Sequence, residues 1–444
     1  MAYVEINEQT WAFIAAHRTE DVRDLALHAR RGDGVDVTFA LEQIAGWQRA
    51  RVKLPDWAAV DGLVFPPQVP MEQCSSQFTA GYKARLAARL VGGHGERPAA
   101  GDGTVSPAQA DDSRFTIASC RTSLIDLTGG FGVDFSYMAR VFDRATYVER
   151  QPNLCDIARH NLPLLGLAHA DVVNGDSAEV LDSLPTASMI FLDPARRDDH
   201  GARTYAIADC TPDVLALRER LLGKAPVVMV KLSPMLDWHK TVADFAGAVA
   251  EVHIVSTGNE CKELLLVLTR DRCDDPLVVC VNDGQELAYR DGDDGNASDD
   301  DAMATGPSVV SQHFSGDDDG IAADQGRYLY EPNASIMKAG CFDVLARRFG
   351  VTAVGPNSHL FVSAEPVKGF PGRSFRIEGT GTMNKRELKS LLEGLTHANI
   401  AVRNFPIPVA QLRRKLKLKD GGDAYLFATT DRSGRHIVLR TVKA

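Results

Sequence analysis

The 444-residue chain reads as an α/β protein with a doubly wound sheet at its centre, and three observations predict this. Short apolar runs of strand length alternate with helical stretches from about residue 115 to about residue 270. The first run leads into a glycine-rich elbow, LIDLTGGFGVDF at 124–135. Acids then stand at or just beyond the ends of consecutive strands: Asp126, Glu149, Asp176 and Asp193. Ligands of open α/β sheets bind beyond the carboxyl ends of the strands, so four acids in these places outline one cleft.

The elements follow in order. Residues 1–90 are rich in Ala, Leu and Arg, with apolar positions recurring every three or four residues (Phe78, Tyr82, Leu86, Leu90), and read as a helical region. Residues 91–113 are Gly, Pro, Ala and Asp without an apolar period and read as a flexible linker. The α/β domain spans 114–282, with strands expected at 123–127, 145–148, 170–173, 189–192, 227–232, 252–256 and 263–269. Its helices are expected at 133–141, 151–165, 211–222 and 237–250. Residues 283–325 have few large apolar side chains and read as a disordered acidic insert. Order resumes at Tyr328–Pro332, and 326–362 is expected to pack on the α/β domain. The last segment, 363–444, reads as a small α+β domain.

Charge is segregated along the chain. The net charge of −10 argues against a nucleic-acid partner, but 283–324 holds twelve acids and one base, and 366–444 holds sixteen bases and six acids. Arg413, Arg414, Lys415, Lys417 and Lys419 crowd into seven residues, as a solvated helix end or as a phosphate-binding surface would. The eight cysteines never form C-x-x-C, so reduced thiols are expected, with neither disulfides nor a metal site. No apolar run approaches the roughly 18 residues that span a bilayer. The early Glu5 and Glu8 do not suit a secretory signal, so a cytoplasmic address is expected.

The elbow selects the cofactor class. Gly130 and Gly132 let the backbone approach a ligand, but the third glycine of a dinucleotide fingerprint is absent. Asp126 beside the turn would repel a pyrophosphate and attract a cation, which suits S-adenosylmethionine. Thr128 belongs to the same turn. Glu149, seventeen residues past Gly132, can accept the two ribose hydroxyls, and Asp176 with Ser177 falls on the adenine side.

These residues together resemble the class I S-adenosylmethionine-dependent methyltransferases. The resemblance implies a seven-stranded sheet of order 3-2-1-4-5-7-6 with the seventh strand antiparallel. It matches Asp126, Gly130 and Gly132 to the first motif, Glu149 to the ribose acid and Asp176 to the adenine-side acid. Asp193 and Pro194 match the start of the motif facing the methyl acceptor.

Enzymes that methylate exocyclic base nitrogens carry (D/N)-P-P-aromatic; here the run is Asp193-Pro194-Ala195-Arg196. Asp193 and Pro194 suit the amine-binding role, while a stacking aromatic would have to come from elsewhere, such as Phe131 or Tyr205. The D-P-x-R form also resembles RNA 5-methyluridine enzymes, but their cysteine nucleophile is missing from Lys231-Leu232-Ser233-Pro234. Arg196, Arg197 and Lys231 are candidates for acceptor phosphate. The basic tail resembles the THUMP-like domain that follows such methyltransferase domains, which implies RNA as the partner. The expectation is an RNA methyltransferase acting on a base nitrogen. The alternatives are a small-molecule or protein methyltransferase and a non-catalytic cofactor-binding RNA protein. Around Ser75, Ser76 and Thr79 the sequence fits either a helix N-cap or a lid over the cofactor.

Overall fold

The computed structural model describes residues 6–28, 34–66, 68–92, 121–196, 207–290 and 327–444. The chain divides into two compact units. The first holds Met1–Glu251 and Leu264–Asp274; the second holds Val252–Glu263 and Asp275–Ala444.

In the first unit, five parallel strands form one side of the sheet, with β3 at its edge: β1 Ser123–Asp126, β2 Arg144–Glu149, β3 Ala170–Asn174, β4 Met189–Leu192 and β5 Val227–Leu232. Two more, β6 Val249–Thr257 and β7 Glu260–Thr269, form a long hairpin whose base lies in this unit. The order is 3-2-1-4-5-7-6, and β7 runs antiparallel to β5, pairing Val227 with Thr269 and Leu232 with Leu264. All four β4 side chains are buried, as are all but the first of β5, which is why these strands read as apolar runs, broken only by Lys231. Parallel pairing brings the carboxyl ends of β1 to β5 to one edge, with Asp126 opposite both Tyr147 and Phe191.

Two helices differ from expectation. The segment expected at 237–250 is helical only over Trp238–Asp244, because Ala246 and Gly247 take φ of 52° and 87° and release the chain into β6. The one expected at 211–222 runs Val214–Lys224, capped by Asp213, whose carboxylate accepts the Ala216 amide.

The N-terminal region is helical, with longer segments at Glu8–His17, Val37–Lys53 and Gln77–Val91. Asn7, Asp36 and Ser76 cap them by accepting the amides of Thr10, Phe39 and Thr79. Ile14, Leu25, Ala40 and Ile44 make their own small core. This region is docked on the sheet domain: Asn161 exchanges two hydrogen bonds with the backbone of Val64, at 2.9 and 2.8 Å.

In the second unit, β8 Leu277–Asn282 and β9 Gln285–Tyr289 form a hairpin that continues the sheet past β6, so it has nine strands where seven were expected. The start of the expected acidic insert is therefore ordered strand, while 291–326 lies outside the described residues, as does most of the expected linker. A separate seven-stranded sheet takes in β10 Tyr328–Pro332, β11 Thr352–Ala353, β12 Phe361–Ser363, β13 Gly372–Thr382, β14 Asn399–Arg403, β15 Tyr425–Thr430 and β16 His436–Lys443. Its order is β11-β12-β10-β13-β16-β15-β14, antiparallel except for β14 with β15. Tyr328 to Pro332 pair with Arg376 to Gly372, which puts the segment in the second unit. Its helix Ala334–Ala339 packs on Leu277–Asn282, and the Ala334 amide donates to Asn259 Oδ1 at 2.8 Å. Leu329, Phe375, Phe427 and Leu439 share one core.

Candidate active site

Two backbone hydrogen bonds and one from a side chain shape the elbow after β1. The Gly129 amide donates to Val148 O at 2.8 Å and the Gly132 amide to Gly129 O at 2.8 Å. Gly130 and Gly132 take φ of 53° and 86°, the left-handed region that favours glycine. A Cβ on Gly129 would lie 2.1 Å from Cε2 of Tyr147, so no other residue fits there without displacing that ring. The Tyr147 hydroxyl donates to Gly130 O at 2.5 Å, fixing the outer curve of the turn.

The carboxylates converge on this elbow. Glu149 accepts the Gly130 amide at 2.9 Å through one oxygen and the Gln151 amide at 2.8 Å through the other. Two hydrogen bonds leave half of its acceptor capacity for ribose hydroxyls. Asp126 is 1% exposed and accepts the Thr128 amide at 2.9 Å. Burial pushes its carboxyl well above the ordinary range, and the charges of Asp134, Asp193 and Glu149 push it the same way. Asp176 caps the short helix Ser177–Val180 by accepting the Ala178 amide at 2.9 Å, and Ser177 is buried behind it. Thr128 turns its Oγ1 toward β4, where it accepts the Asp193 amide at 2.6 Å. The elbow thus joins the ends of β2 and β4.

The acceptor side differs from the sequence expectation in its partners. Asp193 is 40% exposed at its side chain, and Pro194 is buried behind it. Lys231, expected at acceptor phosphate, is instead 9% exposed, with its ammonium 2.6 Å from Asp193 Oδ2 and 3.3 Å from Asp134 Oδ2. Asp134 also accepts from Ser75 Oγ at 2.8 Å. The wholly buried Lys83 lies 3.1 Å from Asp134 Oδ1, an ion pair without hydrogen-bond alignment, and donates to Ser75 Oγ at 3.2 Å. The two lysines hold the Asp134 carboxyl below the usual carboxylate range in spite of its burial.

Sequence reasoning missed Lys83 and Asp134 as members of this group. The only available signal was a lysine on the apolar face of a helix. Of Ser75, Ser76 and Thr79, Ser76 caps the helix while Ser75 reaches the site. Phe131 supplies no exposed stacking face. It is 6% exposed and packed edge-on against Trp57 at 4.9 Å. Arg197 and Tyr205 lie outside the described residues; Arg196 is placed by its backbone alone, paired with Cys210.

These residues fit S-adenosylmethionine. The four carboxylates Asp126, Asp134, Glu149 and Asp193 exceed the two ammonium groups of Lys83 and Lys231, leaving a negative balance for a cationic ligand. The raised Asp126 carboxyl marks a buried group that a cation would stabilise.

The comparisons with known proteins bear on the same point. A candidate methyltransferase from Porphyromonas gingivalis W83 superimposes on 98% of this chain and 98% of its own, at 29% identity and a TM-score of 0.76. Family models match residues 328–371 as a ferredoxin-like domain and 372–443 as THUMP domain-like. The fold of the first unit is that of the class I methyltransferases, and a THUMP-like domain ends the chain. An O-methyltransferase from Bacillus cereus in complex with SAH, 11% identical, covers 56% of this chain and 96% of its own with a TM-score of 0.32, too distant to carry an argument. Among curated proteins no match was found.

The basic tail lies on the helix Val409–Leu416 and the turn after it. Leu412 and Leu416 are buried, while Arg414, Lys415, Lys417 and Lys419 are exposed. Arg413 is partly committed inside the domain, donating to Ala398 O at 2.9 Å and pairing with Asp420 at 2.6 Å. Among the described residues the seven cysteines are unbonded, no metal-ligand cluster occurs, and no helix is long and apolar enough to cross a membrane.

Proposed function

We propose that this protein is an S-adenosylmethionine-dependent methyltransferase that modifies a base nitrogen in RNA. The observation that carries the reading is the bond from the Asp193 amide to Thr128 Oγ1, which sets an Asp-Pro pair against the glycine elbow. When bound, S-adenosylmethionine supplies a methyl group already activated on a sulfonium, so the protein's task is mainly placement. Asp126, Thr128, Gly130, Gly132 and Glu149 would hold the cofactor, with Asp176 and Ser177 toward the adenine. Asp193 Oδ1 and the Pro194 carbonyl would accept hydrogen bonds from the acceptor amine and turn its lone pair toward the methyl group. A base inside a duplex is poorly accessible, so the acceptor is an unpaired or flipped base. The exposed Arg414, Lys415, Lys417 and Lys419 on the THUMP-like domain support RNA through phosphate contacts.

The test is transfer of labelled methyl groups to total RNA from a strain lacking the protein, with and without RNase treatment. Label that persists in RNase-treated extract favours a protein or small-molecule acceptor. Cofactor binding by calorimetry without transfer to any extract favours a non-catalytic binding protein. Mass-spectrometric mapping of modifications lost in the deletion strain identifies the base.

A further inference from the structure

Lys83 is the puzzle in this molecule. It sits on the helix Gln77–Val91 with no exposed surface, where a methionine would fill the same space without a charge to desolvate. Burying an ion pair is seldom a net gain in stability over apolar packing, whereas removing one partner from it is costly. The other members of its group explain why the charge matters. Lys83 meets Asp134, Asp134 meets Lys231, and Lys231 meets Asp193, at 3.1, 3.3 and 2.6 Å. Four charges from four separate elements thus form one chain running from the N-terminal helical region to the acceptor side.

The arrangement is a competition. Lys231 is shared between two carboxylates, and its closer partner is Asp193. Lys83 pairs with Asp134 through Oδ1, the oxygen that Lys231 does not contact, and Ser75 donates to Oδ2, the oxygen that Lys231 also contacts. Without Lys83, Asp134 would depend on Lys231 and draw it away from Asp193. We propose that Lys83 and Ser75 are positioning residues, acting through Asp134 and Lys231 to hold the Asp193 carboxylate where it receives the methyl acceptor. On this view the N-terminal helical region is a fixed part of the transfer site and not a lid. The proposal rests on the reading of Asp193 as the acceptor-side acid.

The test compares Lys83→Met, Ser75→Ala and the double variant Lys83→Met with Asp134→Leu, using full-length protein and RNA from a strain lacking it. Lys83→Met is expected to lower kcat by about ten- to a hundredfold, the scale of a misplaced reacting group, without weakening the calorimetric Kd for S-adenosylmethionine. The double variant frees Lys231 from the competing carboxylate and is expected to recover much of that loss. A purely structural staple predicts the opposite, a double variant no better than the single one. Ser75→Ala should act in the same direction as Lys83→Met, more weakly, and serves if Lys83→Met does not fold. Wild-type kcat in both single variants overturns the proposal. If the wild-type protein transfers no methyl group to RNA, the acceptor reading fails separately. The crystal structure of Lys83→Met then decides: a longer Lys231–Asp193 separation supports the inference, and an unchanged one sinks it.

Discussion

Glu149 accepts the backbone amide of Gly130 at 2.9 Å, tying the tip of β2 to the elbow that leaves β1. One carboxylate thereby shapes the turn and faces the place where a ribose would lie. Glu149→Ala removes both functions. The expected result is a Kd for S-adenosylmethionine weaker by about ten- to a hundredfold, the scale of hydrogen bonds to a charged group. Calorimetry checks it, and an unchanged Kd would show that the ribose lies elsewhere.

Asp126 should make cofactor binding depend on pH. Its folded carboxyl is raised well above the ordinary aspartate range, chiefly by burial. Between the ordinary and the raised value the folded state holds a proton that the unfolded chain has lost, so apoprotein stability falls as pH rises through that window. A cationic ligand selects the ionised form, so its affinity should rise with pH over the same window and binding should release a proton. Calorimetry in two buffers of different ionisation enthalpy measures that proton. Asp126→Asn, which keeps an acceptor for the Thr128 amide, should raise the melting temperature of the apoprotein above that window while weakening cofactor binding.

Asp134 has the opposite sign. Lys83 and Lys231 hold its carboxyl below the ordinary value, so its contribution to stability is present above the unfolded carboxylate range and is lost as pH falls through the depressed folded value. Asp134→Ala leaves two buried ammonium groups without their shared partner. A loss of about 3–5 kcal/mol is expected by urea denaturation at neutral pH.

Gly129→Ala tests the elbow sterically. The added methyl group would sit 2.1 Å from the Tyr147 ring, and that ring is itself buried. Displacing it should cost about 1–3 kcal/mol and weaken cofactor binding, checked by melting temperature and calorimetry.

The exposed Lys415, Lys417 and Lys419 should act on RNA affinity through charge alone. If each neutralises one phosphate of a single strand, replacing all three by alanine lowers the slope of log K against log salt by about 2. Fluorescence anisotropy over a salt series measures this. A slope unchanged from wild type would remove these lysines from the interface.

The sequence by itself determined the features that rest on local physics. Apolar runs too short for helices marked β4 and β5, the second interrupted only by Lys231, and glycines able to take positive φ marked the elbow. The acids at the strand tips were legible because parallel strands must end together at one edge. Tertiary structure alone decided which distant groups meet there. Lys83 is a lysine on the apolar face of a helix, and nothing in the sequence names its partner. It becomes buried only because folding brings Asp134 and Ser75 to it, and Asp134 lies 97 residues from Lys231. The placement of Tyr328–Pro332 was equally hidden, since a strand's own pattern records that one of its faces is buried but not which sheet will bury it.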